Sequence, residues 1–85
     1  MTRSEVIASI VEVLTRVIED KGEPRPEITS DTAFLGGQLP IDSLDLATIV
    51  VELDIATGLD PFALGFIEFR TVGELADLYA AAADA

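Results

Sequence analysis

The sequence contains no cysteine, no histidine and no tryptophan. Without cysteine there is no disulfide framework, no thiolate metal site and no cysteine nucleophile. Without histidine the commonest general base and the commonest metal ligand are both missing. A self-sufficient Ser-His-Asp or Cys-His enzyme is therefore excluded. Positive charge is scarce as well. Five Lys and Arg stand against sixteen Asp and Glu, a net charge of −11, which argues against nucleic acid as a partner, because phosphate neutralisation needs clustered cations. Long apolar runs are also lacking. The longest run of branched aliphatic residues is Ile49-Val50-Val51, far short of a membrane span, and the first residues do not resemble a secretory signal. The expectation is a soluble cytoplasmic chain. No Asp-x-Asp-x-Asp-Gly loop occurs, so a calcium-binding hand is unsupported and no metal site is expected.

What is present is an ordinary globular composition. The 85 residues are 49% hydrophobic and 25% charged, enough for one small domain spanning 1–85 but near the lower limit of what one core can stabilise. Thr2 and Glu5 have capping-box spacing. Ile7, Ile10, Val11, Leu14, Val17 and Ile18 then recur at helical spacing, and Gly22, Pro24 and Pro26 end the pattern. This predicts a first helix over about 3–21. Residues 22–42 hold three Pro and three Gly and read as a long loop, pinned by Ile28, Phe34, Leu35, Leu39 and Ile41, with one helical turn over Asp31–Leu35. A second helix starts at Asp42-Ser43, carries a core stripe of Leu46, Ile49, Val50 and Leu53, and stops at Gly58. Asp60-Pro61 predicts a short third helix, interrupted by Gly65. Thr71 and Glu74 form a second capping box before a last helix to about residue 82. Amphipathic helices of this kind bury their stripes against one another. The expected fold is all-α: a small antiparallel four-helix bundle, three helices long and one short, with a long loop after the first. A bundle of this size is expected to be monomeric.

Three features bear on function. All five basic residues lie outside 26–69, whereas eight acids lie inside it. A solvated face accounts for this, and so does a docking surface for basic patches on enzymes. On the second helix, the stripe facing away from the core is Leu44, Ala47, Thr48, Val51 and Ile55, flanked by Asp45, Glu52 and Asp54. Either the long loop covers it or it is a partner groove rimmed by charge. Ser43, finally, stands where the second helix begins. Ser and Asp are both favoured as N-caps there. The same position suits an anion, since unpaired N–H groups and the helix dipole stabilise an attached phosphate by roughly 0.3–1 kcal/mol.

At these residues the chain resembles the acyl carrier proteins. Asp42-Ser43-Leu44 at the head of the second helix looks like the family's attachment motif. The chain length, the acidity, the long loop, Phe34-Leu35-Gly36 and the Thr71-Val72-Gly73-Glu74-Leu75 start of the last helix support the likeness, which covers nearly the whole chain. The resemblance implies that a phosphopantetheinyl transferase moves 4′-phosphopantetheine from coenzyme A onto Ser43, and that the arm's thiol then holds acyl groups as thioesters. It implies further that Asp42, Leu44, Asp45, Ala47, Val51 and Glu52 meet partner enzymes: the transferase, an acyl-loading enzyme, a ketosynthase or other biosynthetic enzymes. The chain is expected to be a carrier, not a catalyst. Two departures mark it. Gly37-Gln38-Leu39-Pro40-Ile41 lengthens the usual step to Asp-Ser-Leu, and Leu53-Asp54-Ile55-Ala56-Thr57 replaces the acids that fatty-acid members crowd at the end of the second helix. Both point to polyketide or related specialised biosynthesis rather than housekeeping fatty-acid synthesis. An aminoacyl or peptidyl carrier and an unmodified helical adaptor are the alternatives.

Overall fold

The structure is a computed structural model and describes residues 2–84. Among these residues are three helices: α1 (Arg3–Asp20), α2 (Ser43–Thr57) and α3 (Val72–Ala83). Each begins with a capping box, in which the N-cap side chain accepts from an amide in the first turn and an acid three residues on accepts from the N-cap amide. Thr2 with Glu5 and Thr71 with Glu74 are those expected from spacing. Asp42 with Asp45 is a third, built from two aspartates. Gly58 ends α2 in the left-handed conformation, φ +71°, and its N–H donates to Asp54 O.

Helices α2 and α3 both pack against α1. That central position shifts the buried arc of α1. Val6, Ile10, Val13, Leu14 and Ile18 are buried, whereas Ile7 and Val17 flank the core and Val11 is only half-buried. Of the expected stripe, Ile10, Leu14 and Ile18 are buried, and Val6 and Val13 replace Ile7, Val11 and Val17 beside them, because a helix with neighbours on two sides buries the arc between them. On α2, Ile49 and Leu53 are buried, with Leu46 packed beside them. On α3 the core residues are Val72, Leu75, Ala76 and Tyr79. The Tyr79 hydroxyl donates to Asp54 Oδ1 at 2.6 Å and lies 3.3 Å from Val50 O, tying α3 to α2. Burial and the neighbouring Asp54 both push the phenol's pKa up.

The long loop is pinned, though differently from expectation. Phe34 and Leu39 are buried, Ile28 and Ile41 pack on the core, and Leu35 is exposed. No helical turn forms over 31–35. Ala33 instead makes an antiparallel bridge with Thr71, with Phe34 N–H donating to Arg70 O and Val72 N–H to Thr32 O, each at 3.0 Å. Amides drawn across to another segment are not available for a local turn. Gly73 N–H donates to Ser30 O at 2.8 Å, and a Cβ at Gly73 would lie 3.0 Å from that oxygen, so a larger residue would crowd the crossing.

The short third helix does not form among the described residues. Residues 61–64 make a turn, closed by Ala63 N–H to Asp60 O (3.3 Å) and Gly65 N–H to Phe62 O (3.0 Å). Gly65 then leaves helical space at φ +134°. One turn repays too little of the cost of helix nucleation to propagate against such an exit. Aromatic packing holds the segment: Phe62 lies 5.6 Å from Phe66 and 5.8 Å from Phe69, and Phe69 meets Phe34 edge-on at 5.6 Å.

Candidate functional site

The site is the first turn of α2 and the face that runs from it. Ile41, packed on the core, fixes the chain just before the helix. Asp42 follows in extended conformation as N-cap, and its Oδ1 accepts from Asp45 N–H at 2.9 Å. Asp45 Oδ2 accepts in turn from Asp42 N–H at 3.1 Å. Capping thus falls to Asp42, not to Ser43. Ser43 is the first helical residue and is exposed, and none of the side-chain bonds at this terminus uses its hydroxyl. The amides of Ser43 and Leu44 are left as the open donors of the first turn.

From Ser43 the outward face of α2 carries Leu44, Ala47, Thr48, Val51 and Ile55, all exposed. Leu44 is 76%, Val51 57% and Ile55 79% accessible. The long loop does not cover this stripe. Its acidic flanks are not free. Asp45 Oδ2 lies 2.5 Å from Lys21 Nζ, and Glu52 Oε2 lies 2.6 Å from Arg16 Nη2. The idea that 26–69 lacks counter-charge therefore holds along the sequence and fails in space. The hydrogen bond from Lys21 and that from the Asp42 amide hold the Asp45 carboxyl below the usual carboxylate range, and Asp45 holds the Lys21 ammonium above its own. Reading the sequence missed Lys21 and Arg16. A signal was available: α1 must pack on α2, so cations on the wet side of α1 fall within reach of acids on α2.

Beside the first turn lies a groove of about 380 Å³. Phe34, Leu35, Leu46 and Phe69 give it an apolar wall, and Glu68 and Arg70 its polar edge. Leu46 is one turn along α2 from Ser43, on neighbouring surface. Among the described residues no cluster of acids could hold a metal ion, and no helix is long and apolar enough to cross a membrane.

No family model matches the chain, and no curated protein matches it. Among solved structures, it is similar to the solution structure of MacpD, an acyl carrier protein from Pseudomonas fluorescens involved in mupirocin biosynthesis. The TM-score is 0.80 at 32% sequence identity, over 92% of this chain and 70% of that one. An identity and a coverage this high carry more than the shape of a helical fold, and with the three-helix architecture they decide the family: the chain belongs to the acyl carrier proteins, and is a carrier rather than an enzyme.

Proposed function

We propose that residues 1–85 form one carrier domain whose Ser43 takes a 4′-phosphopantetheine arm and presents acyl groups to the enzymes of a polyketide or related specialised pathway. What supports this most is the division of labour at the tip of α2. Asp42 caps the helix and leaves Ser43 exposed, its hydroxyl without a hydrogen-bond partner among the described residues. The role that MacpD has in mupirocin biosynthesis supports the specialised setting.

The residues present suit the arm. The open amides of Ser43 and Leu44 would favour a phosphodiester on Ser43 Oγ, since the helix dipole stabilises negative charge there. The Asp42 and Asp45 carboxylates, which would repel it, are turned back onto each other's amides, and Lys21 offsets the charge of Asp45. When bound, the arm supplies a thiol that holds an acyl group as a thioester, the nucleophile that a chain without Cys or His lacks. The protein's own residues orient and recruit. Asp42, Asp45 and Glu52 attract the cationic rim of a partner, which raises the encounter rate. Leu44, Ala47 and Val51 offer the apolar contact that slows its departure. The transferase, an acyl-loading enzyme and a ketosynthase are the partners this surface suits.

The test is incubation with a broad-specificity phosphopantetheinyl transferase, magnesium and coenzyme A, followed by intact-mass measurement. One added arm on the wild type and none on Ser43→Ala is the expected outcome. An unchanged wild-type mass would favour the unmodified adaptor.

A further inference from the structure

We propose that Arg16 and Lys21 compete, from within the molecule, for the carboxylates that a docking enzyme must reach, and so hold down the rate at which partners engage α2. This rests on the reading of α2 as the docking helix. Its origin is geometric. Both cations belong to the α1 side of the molecule, and each sits on an acid that borders the outward stripe: Arg16 on Glu52 at 2.6 Å, Lys21 on Asp45 at 2.5 Å. The third bordering acid, Asp54, accepts the Tyr79 hydroxyl from the opposite side. Asp45, Glu52 and Asp54 are thus each engaged by a side chain from outside α2, while Leu44, Val51 and Ile55 stand uncovered between them.

The occupant that fits is an enzyme surface with an apolar patch and a rim of Lys and Arg, complementary to an uncovered apolar stripe on a chain of net charge −11. To pair with Glu52 and Asp45 it must displace Arg16 and Lys21, whose own charges then stand beside the incoming ones. Both pairs are at the surface, where ion pairs are weak and exchange readily. The two cations are not equivalent. Asp45 Oδ2 also accepts the Asp42 amide that helps to set the first turn, so Lys21 braces the Ser43 terminus as well as masking an acid. Among the described residues Arg16 pairs with Glu52 alone, which makes Arg16→Gln the cleaner probe.

The experiment measures association and dissociation rate constants of the apo chain on an immobilised broad-specificity phosphopantetheinyl transferase, with coenzyme A omitted, over a series of salt concentrations. Arg16→Gln, Lys21→Gln and Arg3→Gln each remove one positive charge. Arg3 pairs with Asp77 on α3, so its variant controls for net charge, and thermal melts establish that all are folded. At low salt, Arg16→Gln and Lys21→Gln are expected to associate about two- to fivefold faster than Arg3→Gln. The gap closes as salt screens the surface, and dissociation changes little. Rates for Arg16→Gln and Lys21→Gln no higher than for Arg3→Gln would overturn this inference alone. Absence of binding by every chain, wild type included, would overturn it together with the functional reading.

Discussion

Asp42 and Ser43 share the tip of α2, and their order decides what each can do. An N-cap side chain is committed to the helix amides, so a serine in that position would have its hydroxyl engaged. With Asp42 as cap, the serine one residue on is left open. Asp42→Ala is therefore expected to lower stability by about 1 kcal/mol, the usual worth of a cap, and to slow arm transfer to Ser43, whereas Ser43→Ala leaves stability nearly unchanged. Urea unfolding of the two variants checks this; equal losses would mean that Ser43 shares the capping. Asp45 offers a titration. Its pKa is depressed in the folded state, chiefly by Lys21 and next by the Asp42 amide. Its contribution to stability is thus complete well above the unfolded value of about 3.9 and is lost as pH falls through the lower folded value. Lys21, raised by Asp45, contributes below its unfolded value of about 10.4 and loses that contribution as pH rises through the folded one. In Lys21→Gln the Asp45 carboxyl should titrate at higher pH by side-chain carbon NMR; an unmoved midpoint would mean the pair does not persist in solution.

Elements were legible in the sequence to different degrees, and the differences have causes. The three helices announce themselves through capping residues, apolar spacing and the Gly58 stop, all of which are local. The Ala33–Thr71 bridge and the Asp54–Tyr79 hydrogen bond join segments far apart in the chain, and no local pattern encodes them. The same holds for the two ion pairs that Arg16 of α1 and Lys21 just after it make with α2: a stretch of sequence without cations is not a surface without them. The segment after Asp60 had the opening of a helix in Asp60-Pro61 but not the length, and aromatic packing settled it as a turn. Helix α2 carries apolar residues on opposite sides, so its sequence placed Leu44, Val51 and Ile55 away from the core but left open whether the long loop covers them; packing against α1 leaves them uncovered. Truncation of Val51 should accordingly leave stability within about 0.5 kcal/mol, as for other surface changes, while speeding dissociation of a docked partner. A marked loss of thermal stability with unchanged partner kinetics would mean that Val51 serves packing instead.

The molecule as a whole is small, strongly charged and built round one cluster of thirteen buried apolar residues. Its radius of gyration is 12.0 Å and its long axis 37 Å. At 0.01 M salt the Debye length is about 30 Å, so most of its excess negative charges repel one another across the fold; at 0.15 M it is about 8 Å and that repulsion is local. All five basic residues are already paired, and exposed pairs of this kind contribute about 0–1 kcal/mol each. Relief of repulsion should therefore outweigh weakened pairs, and the melting temperature should rise with added salt. A flat or falling melting temperature over that range would mean that the pairs matter more than the net charge. The same charge suits the proposed role, since a carrier visits several enzymes in turn and gains from fast, salt-sensitive encounters with each. That role depends on a single side chain. The most direct measurement is peptide-level mass spectrometry of the protein purified from its native host while the associated biosynthetic enzymes are expressed. The account predicts a phosphopantetheine arm on Ser43 and none on Ser4, Ser9 or Ser30; a bare Ser43 in every molecule, or an arm on another serine, would contradict it.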